Sequence, residues 1–221
     1  MGLAPENGRG TIKTPPSPLF RVGILLSMVK RVKTKICLVG DQAVGKTSLI
    51  RRYVLEEFDD HYMMTLGTKV SKKIIALDFP DEDLGVQLEA GIWDIMGQPG
   101  LLDLLKEAYF TGAHGILAVV DMTSPQTLLT LKSWIRSVER ITGPVPTFVA
   151  VNKVDLKERH LFAIEEVEAV ARELGCDYLP TSARTGENVE EAFRRLASLI
   201  SERSLGFGRG AWEPPPRTAV P

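Results

Sequence analysis

Gly40-Asp41-Gln42-Ala43-Val44-Gly45-Lys46-Thr47 decides the fold, because of what stands on either side of it. Ile36 to Val39 is a short apolar strand that breaks at Gly40. After Gly45 the residues Leu49, Ile50, Tyr53 and Val54 take up helical spacing. The octapeptide matches GxxxxGK[ST] at a strand-to-helix junction, which is where that pattern binds phosphate. Its glycines let backbone N–H groups turn inward, and the helix N-terminus adds a favourable field. Lys46 then supplies charge to β- and γ-phosphate groups. Gly40, Asp41, Gln42, Ala43, Val44, Gly45, Lys46, Thr47 and Ser48 form the candidate phosphate site, with Thr47 a candidate magnesium ligand. Taken alone, the motif leaves ATP and GTP both open.

Working outward, strand-length runs alternate with helical patterns. Lys69 to Leu77 and Val86 to Asp94 alternate in polarity around the acidic, glycine-containing segment Asp81 to Gly85, and read as an antiparallel hairpin. Ile116 to Val120 and Thr147 to Val151 are continuous apolar runs, as expected of strands buried on both faces. Each is followed by a helical stretch, Pro125 to Ile141 and Ile164 to Leu174. A last strand, Tyr178 to Thr181, leads into a helix with Val189, Ala192, Phe193, Leu196 and Ile200 on one face. The implied fold class is α/β: a mostly parallel six-stranded sheet with one antiparallel edge strand and helices on both faces. A ligand is expected at the carboxyl ends of the strands.

The 221 residues suit one domain with excess at both ends. Residues 1–30, rich in Pro and Gly, read as a flexible leader; residues 31–203 form the domain; residues 204–221 read as a disordered Gly/Pro-rich tail. A net charge of -1 argues against a strongly basic nucleic-acid binder, so activity must come from a local site. Cys37 and Cys176 lie in apolar stretches and read as reduced core thiols, which points to a cytoplasmic setting. Val22 to Val29 is far shorter than the roughly 20 residues that span a bilayer. The run Gly23 to Lys33 reads chiefly as leader plus the start of the first strand, and secondarily as a weak basic contact with an anionic membrane. His61, His114 and His160 have no ligand spacing and are expected to be solvated or packed.

Two further motifs narrow the chemistry. Asn152-Lys153-Val154-Asp155 closes a buried strand at the carboxyl edge of the sheet. The Asp155 carboxylate there can accept hydrogen bonds from N1 and the 2-amino group of guanine, a donor pair adenine lacks. Asn152 would contact the base edge and brace the phosphate loop, and the Lys153 stem would cover the ring. In Trp93-Asp94-Ile95-Met96-Gly97-Gln98, Asp94 is placed to hold magnesium through water and the Gly97 N–H to meet a γ-phosphate. Gln98 is placed to orient an attacking water.

In this order and spacing, the three motifs resemble the Ras superfamily of small GTPases over roughly residues 33 to 202, with the Rab-like branch nearest. Phe58-Asp59-Asp60-His61-Tyr62-Met63-Met64-Thr65-Leu66-Gly67 is similar to the Rab first switch. The resemblance implies that Phe58 stacks at the guanine edge and that Thr65 ligates magnesium and touches the γ-phosphate. Thr181-Ser182-Ala183-Arg184 resembles the family's TSAK segment, which implies base contacts from Ser182, Ala183 and Arg184, the Ala183 N–H meeting guanine O6. Gln42 stands where Ras itself has Gly, and Pro99 restricts Gln98 to extended backbone.

The expected function is a switch that binds GTP or GDP with magnesium and hydrolyses GTP slowly through Gln98, Lys46 and Thr65. Its partners would be an exchange factor, an activating protein and effectors. The alternative is a pseudo-GTPase that holds nucleotide without turnover. Met63 and Met64 read as an effector contact, and Leu101, Leu102, Leu104 and Leu105 as the buried face of a helix. With no Cys in the tail, prenylation is not expected, so no lipid anchor is encoded.

Overall fold

The computed structural model describes residues 28–58, 68–95 and 106–207. Its strands are β1 (Met28–Val39), β2 (Thr68–Phe79), β3 (Leu84–Ile95), β4 (Gly115–Asp121), β5 (Thr147–Asn152) and β6 (Asp177–Pro180). Its longer helices are α1 (Lys46–Leu55), α2 (Pro125–Thr142), α3 (Ile164–Leu174) and α4 (Val189–Leu205). The six strands lie in the order β2-β3-β1-β4-β5-β6. Only the β2–β3 pair is antiparallel; β1 pairs parallel with β3 and β4, and β4, β5 and β6 follow in parallel. This is the sheet that the alternating pattern implies.

Alternation along β1 feeds both layers of the core. Ile36 and Leu38 point to one face, where they pack with Leu49, Ile50 and Tyr53 of α1 and with Phe193, Leu196 and Ile200 of α4. Cys37 and Val39 point to the other, against Leu131, Trp134, Ile135 and Val138 of α2 and Val167 of α3. The Tyr53 and Phe193 rings stack at 4.0 Å between centroids, 3° from parallel, and join α1 to α4. Every residue of β4 is buried, which is why that strand reads as one unbroken apolar run.

Several elements extend past their sequence limits. β1 begins at Met28, not Ile36, because its first half pairs with β3 alone; contact with β4 starts only at the Ile36–Gly115 pair. A strand with one free edge can carry charged residues, so Lys30, Arg31 and Lys33 hide its period. Residues 28–30, expected in the leader, are thereby sheet residues, and the strand begins ahead of the expected domain start at residue 31. The β2–β3 connection contains a short 3-10 turn, Pro80–Glu82, followed by Asp83 in the left-handed region. α4 runs through Leu205, and Phe207 meets Phe79 edge-on at 4.9 Å, so packing continues beyond the expected limit at residue 203. Cys37 is fully buried and Cys176 partly so, and both are free. His114 is exposed, and its Nδ1 accepts the Lys35 N–H at 3.1 Å. Among the described residues no helix is long and apolar enough to cross a membrane.

α4 packs tightly against the sheet at Gly115. A Cβ there would lie 2.5 Å from Ile200 Cδ1 and 3.2 Å from Leu196 Cδ1. Gly115→Val is therefore expected to cost about 1–3 kcal/mol through overpacking. Pairing it with Ile200→Ala should cost less than the two single changes summed, since the truncated side chain vacates the contested space. Denaturant unfolding of the four proteins measures that coupling; strict additivity would show that α4 does not pack on Gly115 this closely.

Candidate nucleotide site

The segment joining β1 to α1 is held in its shape by two glycines. Gly40 has φ +137° and Gly45 φ +103°, where L side chains are strained. A Cβ on the first would collide with the Val119 carbonyl, and one on the second with the Asn152 amide. No side chain caps the N-terminus of α1 at Gly45. Lys46 is buried and its Nζ donates to the carbonyls of Gly40 and Asp41, each at 2.7 Å. Burial pushes this ammonium down to about 8, with the nearby Asp94 and Asp41 charges pulling it back up. Gln42 and Ala43 are exposed at the lip of the loop and Ser48 is half-buried in the first helical turn.

Thr47 and Asp94, distant in sequence, meet beside this loop. Thr47 Oγ1 donates to Asp94 Oδ2 at 2.5 Å. Asp94 is 1% exposed, and its second oxygen, Oδ1, is buried with no hydrogen-bond partner among the described residues. Burial raises the Asp94 carboxyl above its ordinary value, against the Thr47 hydrogen bond and the charges of Lys46 and Lys69. A hydroxyl and a carboxylate with an unsatisfied oxygen are a hard, oxygen-only donor pair, so the residues present fit magnesium.

Asn152 joins the two halves of the site. It ends β5, and its Nδ2 donates to Val44 O at 2.8 Å while its Oδ1 accepts the Ala183 N–H at 3.1 Å. The bracing of the phosphate loop is thus present. The Ala183 N–H, which the resemblance aims at guanine O6, has Asn152 as its partner here. Lys153 sits at φ +68°, and its Nζ lies 2.6 Å from Asp121 Oδ2, which fixes the stem expected to cover the ring. Asp155 Oδ1 accepts from Ser182 Oγ at 2.7 Å, and Ser182 Oγ in turn accepts the Thr185 N–H at 3.0 Å. Arg184 is exposed at the outer edge of this loop, and Phe58 packs, half-buried, at the rim of the core beneath α1.

Gly40 to Ser48, Asp94, Asn152, Lys153, Asp155 and Ser182 to Arg184 are therefore brought to the carboxyl edge of one sheet. Thr65, Gly97 and Gln98 lie outside the described residues, as do Met63, Met64, His61, Pro99 and the leucines 101, 102, 104 and 105. The structure also adds residues that the motifs do not name. Asp41, within the loop, accepts from Trp134 Nε1 at 2.7 Å on one oxygen and from Thr130 Oγ1 at 2.8 Å on the other. Helix α2 thereby holds the phosphate loop from behind. Asp121, the partner of Lys153, also takes the N–H and hydroxyl of Thr123 on its Oδ1. A polar residue ending a buried strand, as Asp121 ends β4, was the one sequence signal available for these supports.

The chain is similar to known proteins over most of its length. The Ras family model matches residues 35–202 of the chain. Ras-related protein RABD2c of Arabidopsis thaliana is 31% identical over 182 residues, 82% of this chain and 87% of its own. GTP-binding protein YPTM2 of Zea mays is 31% identical over 170 residues, 76% and 80% of the two chains. Ras-related protein SEC4 of Saccharomyces cerevisiae is 35% identical over 182 residues, 80% and 81%. With a family match that runs from the middle of β1 almost to the end of α4, and relatives that align over most of their own length, this chain belongs to the Ras family of small GTPases, on its Rab-like side.

Proposed function

We propose that the protein is a guanine-nucleotide switch that binds GTP and GDP with magnesium and slowly hydrolyses GTP to GDP and phosphate. One observation carries the reading: the Asp155 carboxylate suited to guanine stands in the same hydrogen-bonded frame as the phosphate loop, through Ser182, Ala183, Asn152 and Val44. Base and phosphates are then gripped by parts of one rigid edge. Asp155 reads the N1 and 2-amino edge, Lys153 covers the ring, and the Ala183 N–H is shared between Asn152 and guanine O6. The loop N–H groups and Lys46 hold the β- and γ-phosphates. Thr47 and Asp94 hold magnesium, with Thr65, and the ion when bound neutralises charge on the phosphate oxygens. Gln98 orients a water that attacks the γ-phosphorus as the bond to the bridging oxygen breaks, leaving GDP and phosphate. The first switch around Thr65 and the segment after Gly97 change conformation with the γ-phosphate, and effectors read that change.

Base selection supplies the first test. Asp155→Asn replaces two acceptors with an amide, which suits a carbonyl at the purine 2-position. Its affinity for GTP should fall and its affinity for xanthosine triphosphate should rise. An unaltered preference for GTP removes Asp155 from the base site.

Chelation tests the metal corner. EDTA is expected to speed the release of bound nucleotide from the parent protein, and Asp94→Asn should shrink the difference between chelated and magnesium-replete rates. Equal release with and without EDTA in the parent argues against magnesium at Thr47 and Asp94.

Hydrolysis by the isolated chain should be slow, because Glu57 to Leu66 contains no Arg or Lys to neutralise the transition state. An arginine from an activating protein is worth about 10³ to 10⁵ in rate. Single-turnover hydrolysis with purified protein measures this. Brisk turnover without a partner, or a Gln98→Leu variant as fast as the parent with its activating protein, overturns the assignment of roles.

A further inference from the structure

Helix α1 starts at the phosphate loop and ends at Leu55, with Glu56 in the left-handed region. Arg52 stands in its last turn. An arginine in that position ordinarily serves the end of its own helix, and one of its nitrogens does: Nη1 donates to Glu56 O at 3.1 Å. The remaining donors leave the helix altogether. Nε donates to Ala183 O at 2.9 Å and Nη2 to Arg184 O at 2.6 Å, 131 and 132 residues along the chain. Gly186, at φ +88°, brings the loop alongside the same stem, with space for a Cβ only 3.7 Å from Arg52 Cδ.

The loop so held is the one that holds Asp155. Gly186 N–H donates to Ser182 O at 2.8 Å, and Ser182 N–H donates to Glu187 O at 3.0 Å. Ser182 Oγ reaches Asp155 Oδ1 at 2.7 Å. The two carbonyls under the Arg52 fork directly follow Ser182 in the chain. We propose that Arg52 is a positioning residue for base selection: its guanidinium fixes the carbonyls of Ala183 and Arg184, and thereby orients Ser182 and Asp155, without touching the nucleotide. The inference rests on Asp155 being the guanine-selective carboxylate. Arginine suits the task because its planar fork spreads donors over two consecutive carbonyls and a helix end, a span that the point charge of lysine does not cover. The helix carrying Arg52 opens, at its other end, with Lys46 and Thr47.

Discrimination, not affinity, is the informative readout. Inosine diphosphate differs from GDP by the missing 2-amino group, so the GDP-to-IDP affinity ratio reports how well Asp155 is aimed. Arg52→Ala is expected to lower that ratio about threefold to tenfold, the worth of one well-placed hydrogen bond. The GTP-to-GDP ratio should hold, because the phosphates are gripped at the opposite end of α1. Arg52→Lys, which keeps the charge and guards against a misfolded alanine variant, should fall between parent and Arg52→Ala. Cooperative thermal melting verifies the fold of each. If both folded variants keep the parent's GDP-to-IDP ratio, with all nucleotides weakened equally or not at all, Arg52 is a structural brace only and the inference is overturned. If the parent itself fails to prefer GDP over ADP, the reading of Asp155 falls and takes this inference with it.

Discussion

One side-chain amide holds the site together. Asn152 is 2% exposed, and its two polar atoms each reach a different loop: the phosphate loop through Val44 and the 181–184 loop through Ala183. A buried amide that lost either partner would carry an unsatisfied group costing about 1–3 kcal/mol, so both loops are held at fixed distance from β5. Gly45 has to be glycine for the same reason, because a side chain there would occupy the space of that amide. The strand positions Asn152, and Asn152 positions the two loops.

The charges at the phosphate end are arranged against the ordinary preference for solvent. Lys46 and Asp94 are both buried, and desolvation shifts each toward its neutral form. Loop carbonyls satisfy the ammonium and Thr47 satisfies one carboxylate oxygen, while Asp94 Oδ1 has no partner among the described residues. Such a pair is costly as a device for stability and well suited to meeting a phosphate and a cation. The surrounding elements supply the rigidity that this requires. α2 grips the loop from behind through Trp134, Thr130 and Asp41, and α1 grips the base-side loop through Arg52.

Much of this was legible in the chain because the signals are local. Apolar periodicity and continuous runs gave the strand and helix order, since β4 and β5 are buried on both faces and α4 on one. Glycine spacing at 40 and 45 and the NKxD quartet marked the segments proposed to meet phosphate and base, since these depend on backbone conformation and on residue type at a strand end. The length of β1 was hidden because a half-paired strand tolerates lysines that break its pattern.

By itself, then, the sequence determined the α/β class, the antiparallel hairpin and the segments expected at the carboxyl edge, because periodicity, turn signals and motif spacing are local. Only the tertiary structure decided what supports them. Asp41 with Trp134, Lys153 with Asp121, and Arg52 with the Ala183 carbonyl are contacts between surfaces that close packing alone brings together. No spacing rule connects residues 131 positions apart. Their hydrogen-bond partners, moreover, are often backbone carbonyls, which look the same at every position of a sequence and acquire meaning only from the fold.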